Sequence, residues 1–323
     1  MKYTAIPGIE RPLSKLILGT TKFFEDKKQD VFSVLDAFLQ AGGNTIDTGP
    51  KYAKYQAEKL IGQWMQERGT RKDVILISKG GHYHIDRDGT HHPELKRVDP
   101  VEITKDLHES LGNLQTDFID IYLIHRDDRS VSVQELMDML HEHQQAGKIG
   151  IYGVSNWQPD RIEEANAYAD SKGYDRLMVN SPNLSLAQLN EVRWAGTVAL
   201  DDEYLAWHRR TGMPVISWAA QAGGFFTGTY DRNHVTDEEI ARVYYNDDNW
   251  ERYDRAVEIA NRKGVTANQI AVAYVLHQAF PTCAIVGCKN VRRLEEALPA
   301  IDIQLTEEEV KWLNLELEDA KVE

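Results

Sequence analysis

Short runs rich in Ile, Val and Leu recur eight times along the chain, at residues 15–19, 44–48, 74–79, 118–125, 149–155, 177–180, 214–218 and 284–287. They are apolar nearly throughout instead of alternating with polar residues, the pattern of strands buried on both faces of a parallel sheet. The stretches between them have helical period. Residues 31–40 place apolar side chains at 31, 34, 35 and 38 and stop at Gly42-Gly43. Residues 101–111 repeat the pattern at 103, 107 and 111 behind Asp99-Pro100, an N-cap followed by proline in the first turn. Residues 132–146 open on the capping-box pair Ser132 and Glu135 and close at Gly147. Residues 160–169, 200–210, 253–262, 267–279 and 292–298 keep the same rhythm.

Eight strands alternating with helices predict an α/β fold of the closed (β/α)8 TIM-barrel type, with a doubly wound open sheet as the alternative. Residues 3–13 predict an N-terminal hairpin over the barrel bottom, turning at Pro7-Gly8. Residues 306–320, with Thr306 and Glu309 as a second capping box, predict an extra C-terminal helix. Segments 80–100 and 221–250 are long for strand-to-helix links and read as walls of a site. With no Pro- or Ser-rich linker between them, residues 1–323 read as one domain.

Composition narrows the partners. The chain carries 37 Lys+Arg against 51 Asp+Glu, a net charge of −14, which argues against a nucleic-acid partner. No apolar stretch approaches the ~20 residues of a membrane span, and residues 1–8 hold no signal-like run. Cys283 and Cys288, the two cysteines, are too few for a disulfide framework. The expectation is a soluble, cytoplasmic protein acting on a small molecule, with its oligomeric state left open. There is no G-x-G-x-x-G, Walker A, H-E-x-x-H or G-x-S-x-G motif. His82, His84, His91 and His92 are the one metal candidate, but the acidic and basic residues among them suit a polar wall better, and no metal site is expected.

Candidate chemistry gathers at strand ends. Asp47 ends the second run, Tyr52 lies just beyond it, Lys79 ends the third and His125 the fourth. A barrel aims C-terminal strand ends at one opening. A free phenol has a pKa of ~10, and an adjacent ammonium lowers it. Asp47 would hold Lys79 as an ion pair, Lys79 would make Tyr52 a stronger acid, and His125 would orient a carbonyl oxygen beside it. That set suits protonation of an oxygen on which negative charge develops.

The run from Asn44 through Ala53, then Glu58-Lys59-Leu60-Ile61-Gly62, Ser78-Lys79, Ile121 to His125 and Gly153-Val154-Ser155-Asn156 resemble the aldo-keto reductases in order and over nearly the whole chain. The resemblance implies an NADP(H)-dependent oxidoreductase, reducing an aldehyde or ketone to an alcohol or running the reverse, with Asp47, Tyr52, Lys79 and His125 as catalytic tetrad and Tyr52 as acid. It implies that Ser155 and Asn156 hold the nicotinamide carboxamide, that Trp218 stacks on the ring, and that Gly287, Lys289, Arg293 and Glu296 hold the adenosine phosphate, Arg293 foremost. Two departures concern the cofactor. Ser181 stands where the family commonly has Gln, so that either the neighbouring Asn180 takes over or the shorter serine reaches through water, and Ala297 stands where the family has Asn. Both loosen the preference for NADPH over NADH. His82, Arg126, Asp127 and Trp157 are the expected substrate contacts. Their mix of polar groups and rings favours a sugar- or polyol-derived carbonyl. Barrels of this family also serve as cofactor-sensing accessory subunits, which leaves a binding role with little turnover as the alternative.

Overall fold

Pairing between the first and last of the eight strands decides between the two architectures. The computed structural model describes residues 1–318. Its strands are β1 Leu16–Gly19, β2 Thr45–Asp47, β3 Ile75–Gly80, β4 Ile119–Ile124, β5 Ile149–Ser155, β6 Asn180–Ser181, β7 Val215–Ser217 and β8 Thr282–Gly287. Each pairs in parallel with its sequence neighbour, and β8 returns to β1 with Ile285 opposite Ile17, so the sheet is a closed barrel. Around it run α1 Lys28–Gln40, α2 Ala57–Arg68, α3 Pro100–Leu114, α4 Val133–Gln145, α5 Pro159–Lys172, α6 Asp202–Thr211, α7 Glu238–Tyr244, α8 Asp247–Lys263, α9 Ala267–Leu276, α10 Val291–Ala297 and α11 Glu307–Leu313.

Strand parity positions the site. Ile17, Ile75, Ile77, Ile121, Leu123, Ile151, Val179 and Ile216 fill the barrel interior, while Leu16, Leu18, Leu76, Tyr122, Ile124, Tyr152 and Val154 pack outward against the helices. Continuing the inward rows by two residues gives polar groups at the C-terminal rim: Lys79 after Ile77, His125 after Leu123, Ser155 after Gly153 and Ser181 after Val179. Asp47 occupies the same row in β2, because Ile46 packs outward.

The opposite end is closed by the predicted hairpin. Tyr3–Thr4 pairs antiparallel with Leu13–Ser14, and Ile6 and Leu13 join the interior cluster. Gly8 at the turn has φ 84°, and a Cβ there would stand 2.6 Å from Ile151 Cγ2. Helices α2, α5 and α6 return to this bottom end through the left-handed glycines Gly69, Gly173 and Gly212.

Three segments depart from the pattern read above. α2 is not among the helices read from sequence, although Ala57, Leu60, Ile61, Trp64 and Met65 share one buried face at helical spacing. A Cβ at Gly62 would stand 2.3 Å from the Asn113 carbonyl oxygen, so the glycine lets α2 approach the end of α3. Segment 221–250 is largely helical rather than an open wall. It holds α7 and the start of α8, which begins at Asp247 because the Asn246 side chain caps it by accepting from Asn249 N at 2.7 Å. α11 ends at Leu313, and residues 319–320 of the predicted helix lie outside the described residues. Segment 80–100 carries a small hairpin, His84–Ile85 against His91–His92. Connection 182–199, not singled out from sequence, also crosses the rim.

Candidate active site

Asp47 and Lys79 leave adjacent strands on the same inward row and meet. Lys79 Nζ lies 2.5 Å from Asp47 Oδ2 and donates to the Thr48 carbonyl at 3.0 Å, with both side chains buried. Tyr52 is set by the turn after β2, in which Ala53, Lys54 and Tyr55 are all left-handed, at φ 48°, 55° and 67°. Each such residue costs about 1–2 kcal/mol, so contacts must hold the turn. Tyr52 N donates to the Gly49 carbonyl, the Tyr55 hydroxyl donates to the Ile85 carbonyl, and Gln56 Oε1 accepts from Glu25 N at 2.7 Å. The Lys79 ammonium consequently lies 4.9 Å from the Tyr52 ring centre, and the His125 ring stands edge-on to it at 5.8 Å. The four groups read from strand ends therefore share one place.

Burial and charge oppose each other there. Burial alone would pull Lys79 down, but the Asp47 carboxylate outweighs it and holds the ammonium above its ordinary value. Tyr52 differs from expectation. Burial pushes the phenol up, Lys79 pulls it back, and the net shift is upward. His125 is driven well below 6.5 by burial and by His82, Arg126 and Lys79, so it is a neutral imidazole. His82 is likewise neutral, through burial and Arg126.

Beside this group, Asn156 follows β5 in a left-handed conformation, φ 63°. Its Nδ2 donates to the His125 carbonyl at 3.1 Å, and its Oδ1 accepts from Val198 N and from Trp218 Nε1 at 3.2 Å. Ser155 Oγ donates to the Ser181 carbonyl at 2.6 Å. Asn180 is outward on β6 and donates to the Tyr204 hydroxyl at 2.7 Å, whereas Ser181 Oγ is buried without a partner. Of the two alternatives at this position, the serine is the one that faces in. At the end of β8, Gly287 has open space beside it, Lys289 is exposed, and Arg292 and Arg293 both pair with Glu296, at 2.9 and 2.8 Å. An orphaned inward hydroxyl, an indole on the rim and exposed cations beside an open glycine fit an extended dinucleotide.

The expected substrate contacts divide. His82 is buried, donates from Nδ1 to the Tyr83 carbonyl at 3.0 Å and accepts at Nε2 from Arg126 at 3.1 Å, so neither ring nitrogen is left for a hydroxyl. Arg126 is 6% exposed and lies against His82 and His125. Trp157 and Asp127 are corrections. Trp157 is fully buried with its indole N–H on the Arg126 carbonyl, behind the site rather than lining it. Asp127 turns away to Arg161 at 3.3 Å. Sequence reading also missed Trp194, 39% exposed and 5.7 Å from Trp218, whose only signal was a tryptophan in the long polar link after β6. It missed the clamp on segment 80–100 as well. Arg97 grips Asp106 at 2.7 Å, and Asp106 accepts from Gly81 N. His84 and His92 share Asp86, and no group of His, Cys, Asp and Glu among the described residues is arranged to hold a metal ion. No helix among them is long and apolar enough to cross a membrane.

Comparison with known proteins bears on this site. The model of the Aldo/keto reductase family matches residues 15–314. The chain is 30% identical to a norsolorinic acid reductase of Emericella nidulans, over 92% of this chain and 76% of that one. It is 28% identical to a probable aryl-alcohol dehydrogenase of Saccharomyces cerevisiae, over 88% and 87%. Among solved structures, a glycerol dehydrogenase from Gluconobacter oxydans superposes with a TM-score of 0.78 at 23% identity, covering 97% of this chain and 94% of that one. An aldo/keto reductase from Klebsiella pneumoniae, in complex with NADP and acetate, gives 0.71 at 24%, with the same coverage.

Proposed function

The chain belongs to the aldo/keto reductase family, and from that membership we propose that it is a cytoplasmic, NADP(H)-dependent oxidoreductase that reduces an aldehyde or ketone to an alcohol, or runs the reverse. The observation that carries this reading is the buried Lys79–Asp47 pair beside Tyr52 and His125 at the barrel mouth.

The nicotinamide cofactor, when bound, supplies the hydride. Everything else falls to side chains. Tyr52 is the proton donor, and its raised pKa keeps the phenol protonated at rest, the form a general acid needs. As the proton leaves, Lys79 stabilises the phenolate, and Asp47 keeps that lysine charged and in place. Neutral His125 orients the carbonyl oxygen, itself fixed by the bond from Asn156 to its backbone. Ser155, Asn156 and Ser181 hold the carboxamide and Trp218 covers the ring. Gly287, Lys289, Arg293 and Glu296 hold the adenosine end. Lys289 and Arg293 are the cations that favour NADPH, and the grip of Glu296 on Arg293 moderates that preference, leaving NADH as a weaker cofactor.

Tyr52→Phe tests the reading. The variant should fold and bind NADPH as wild type does, while carbonyl reduction falls by roughly 100-fold or more. Cofactor binding read by fluorescence and turnover read by NADPH absorbance separate the two. Near-wild-type turnover would remove Tyr52 as the acid.

A further inference from the structure

Arg126 is a guanidinium with a surplus of charge in a place where charge is costly. It is 6% exposed, and every group around it is neutral: the Ala195 carbonyl accepts from Nε at 3.3 Å, the His125 carbonyl from Nη1 at 2.9 Å and His82 Nε2 from Nη2 at 3.1 Å, while the Tyr83 ring lies 5.7 Å from the guanidinium with its hydroxyl as a further neutral acceptor. The three close bonds occupy three of its five N–H groups. No carboxylate among the described residues pairs with it. The two aspartates next to it in sequence are spent elsewhere, Asp127 on Arg161 and Asp128 on Lys96 at 3.0 Å. The Tyr83 hydroxyl, hydrogen-bonded to His91 Nδ1 at 2.8 Å, is pushed up by burial and brings no negative charge to the guanidinium. Lys79 and Asp47 cancel one another, and His82 and His125 are neutral, so the rim beside His125 holds about one uncompensated positive charge on a molecule of net charge −14.

A buried unpaired charge is strongly destabilising unless something neutralises it. The planar fork of arginine matches carboxylate and phosphate oxygens.

We propose that Arg126 selects the substrate: the carbonyl compound reduced here carries an anionic oxygen group, a carboxylate or a phosphate ester, a few bonds from its carbonyl carbon, and that group binds the guanidinium while the carbonyl oxygen lies at Tyr52 and His125. This rests on the reductase reading and narrows it. His82, in this arrangement, is a positioning residue that aims Arg126 by accepting one of its N–H groups. An acidic sugar such as a uronate fits the site better than a neutral sugar.

Matched pairs of substrates with NADPH provide the test: glucuronate against glucose, succinic semialdehyde against butanal, and glyceraldehyde 3-phosphate against glyceraldehyde. The wild-type protein should favour the anionic member of at least one pair at least tenfold in kcat/KM, and the arm that shows the gain identifies carboxylate or phosphate. Arg126→Gln should lower that anionic-to-neutral ratio at least tenfold, and Arg126→Lys should lower it less, because charge remains while the fork is lost. NADPH binding confirms that each variant is folded, and if the Gln variant is not, the wild-type ratio and the Lys variant decide. A wild-type ratio near one in every pair overturns the proposal. So does an equal fall on both members in Arg126→Gln, the mark of a group that merely supports His125. Turnover of neutral members without any anionic gain overturns this inference alone, whereas no turnover on any member overturns the reductase reading and this inference together.

Discussion

At the scale of single residues, the site works by placing charges where water cannot screen them. Removing Lys79 illustrates the stakes, because Lys79→Met leaves the Asp47 carboxylate buried without its cation. That variant should lose about 3–5 kcal/mol of stability in denaturant titration, as well as activity. Glu58 shows the opposite case. It is buried beneath β3 with the Ser78 hydroxyl donating to it at 2.7 Å, and burial lifts its pKa from 4.5 to about 7. The folded state therefore holds this proton more tightly than the unfolded chain does. Its contribution to stability is complete below pH 4.5 and is lost as pH rises through about 7. Glu58→Gln should flatten the decline in unfolding free energy between pH 6 and 8.5, a decline of about 1–1.5 kcal/mol across that window. An unchanged slope would show that the carboxyl is already ionised at pH 6. Lys79 and His125 were legible from sequence because each stands two residues past an inward apolar residue, Ile77 and Leu123, and Asp47 because it ends its strand directly after the outward Ile46. Asp127 and Trp157 were not, because their direction depends on Arg161 and on the Arg126 carbonyl, partners that only the packing of α5 supplies.

At the scale of elements, close approach overrides intrinsic preference. Ala is the better helix former, and propensity alone would make Gly62→Ala stabilising by about 1 kcal/mol. Backbone of α3 occupies the space of that Cβ, with the Asn113 carbonyl oxygen at 2.3 Å and Leu114 Cα at 3.0 Å. Gly62→Ala should instead destabilise by about 1–3 kcal/mol, and a thermal midpoint that rises would mean that α2 can shift outward without loss. The period of α2 itself, apolar at 57, 60, 61, 64 and 65, is present in the sequence. The start of α8 is not: its cap and first turn, Asn246-Asp247-Asp248, have the polarity of a loop, and only their bonding distinguishes them. Strands were easier to locate, because residues buried on both faces leave an apolar signature with no helical competitor. Their ends shifted by a few residues at most, with β6 moving the furthest, from 177–180 to Asn180–Ser181.

At the scale of the whole molecule, buried neutral imidazoles set the acid limit. His82 and His125 are held well below 6.5, and His208, donating from Nδ1 to the Met213 carbonyl, is held at about 4 by burial. Each binds its proton less readily folded than unfolded, so its contribution is intact above pH 6.5 and is lost as pH falls from there. His208 alone should cost about 2–3 kcal/mol by pH 4. Calorimetry from pH 7 down to pH 4 should show a falling melting temperature, and a level profile to pH 4.5 would mean these rings protonate without disturbing the fold. The barrel also separates its two ends. Chemistry occupies the rim, while Gly69, Gly173 and Gly212 turn the chain at the far side with nothing within 4 Å of where a side chain would begin. An anchoring peptide or a fluorophore spliced into one of those turns would tether the molecule to an electrode or bead with its mouth facing the solution, so that immobilisation need not obstruct diffusion of reactants.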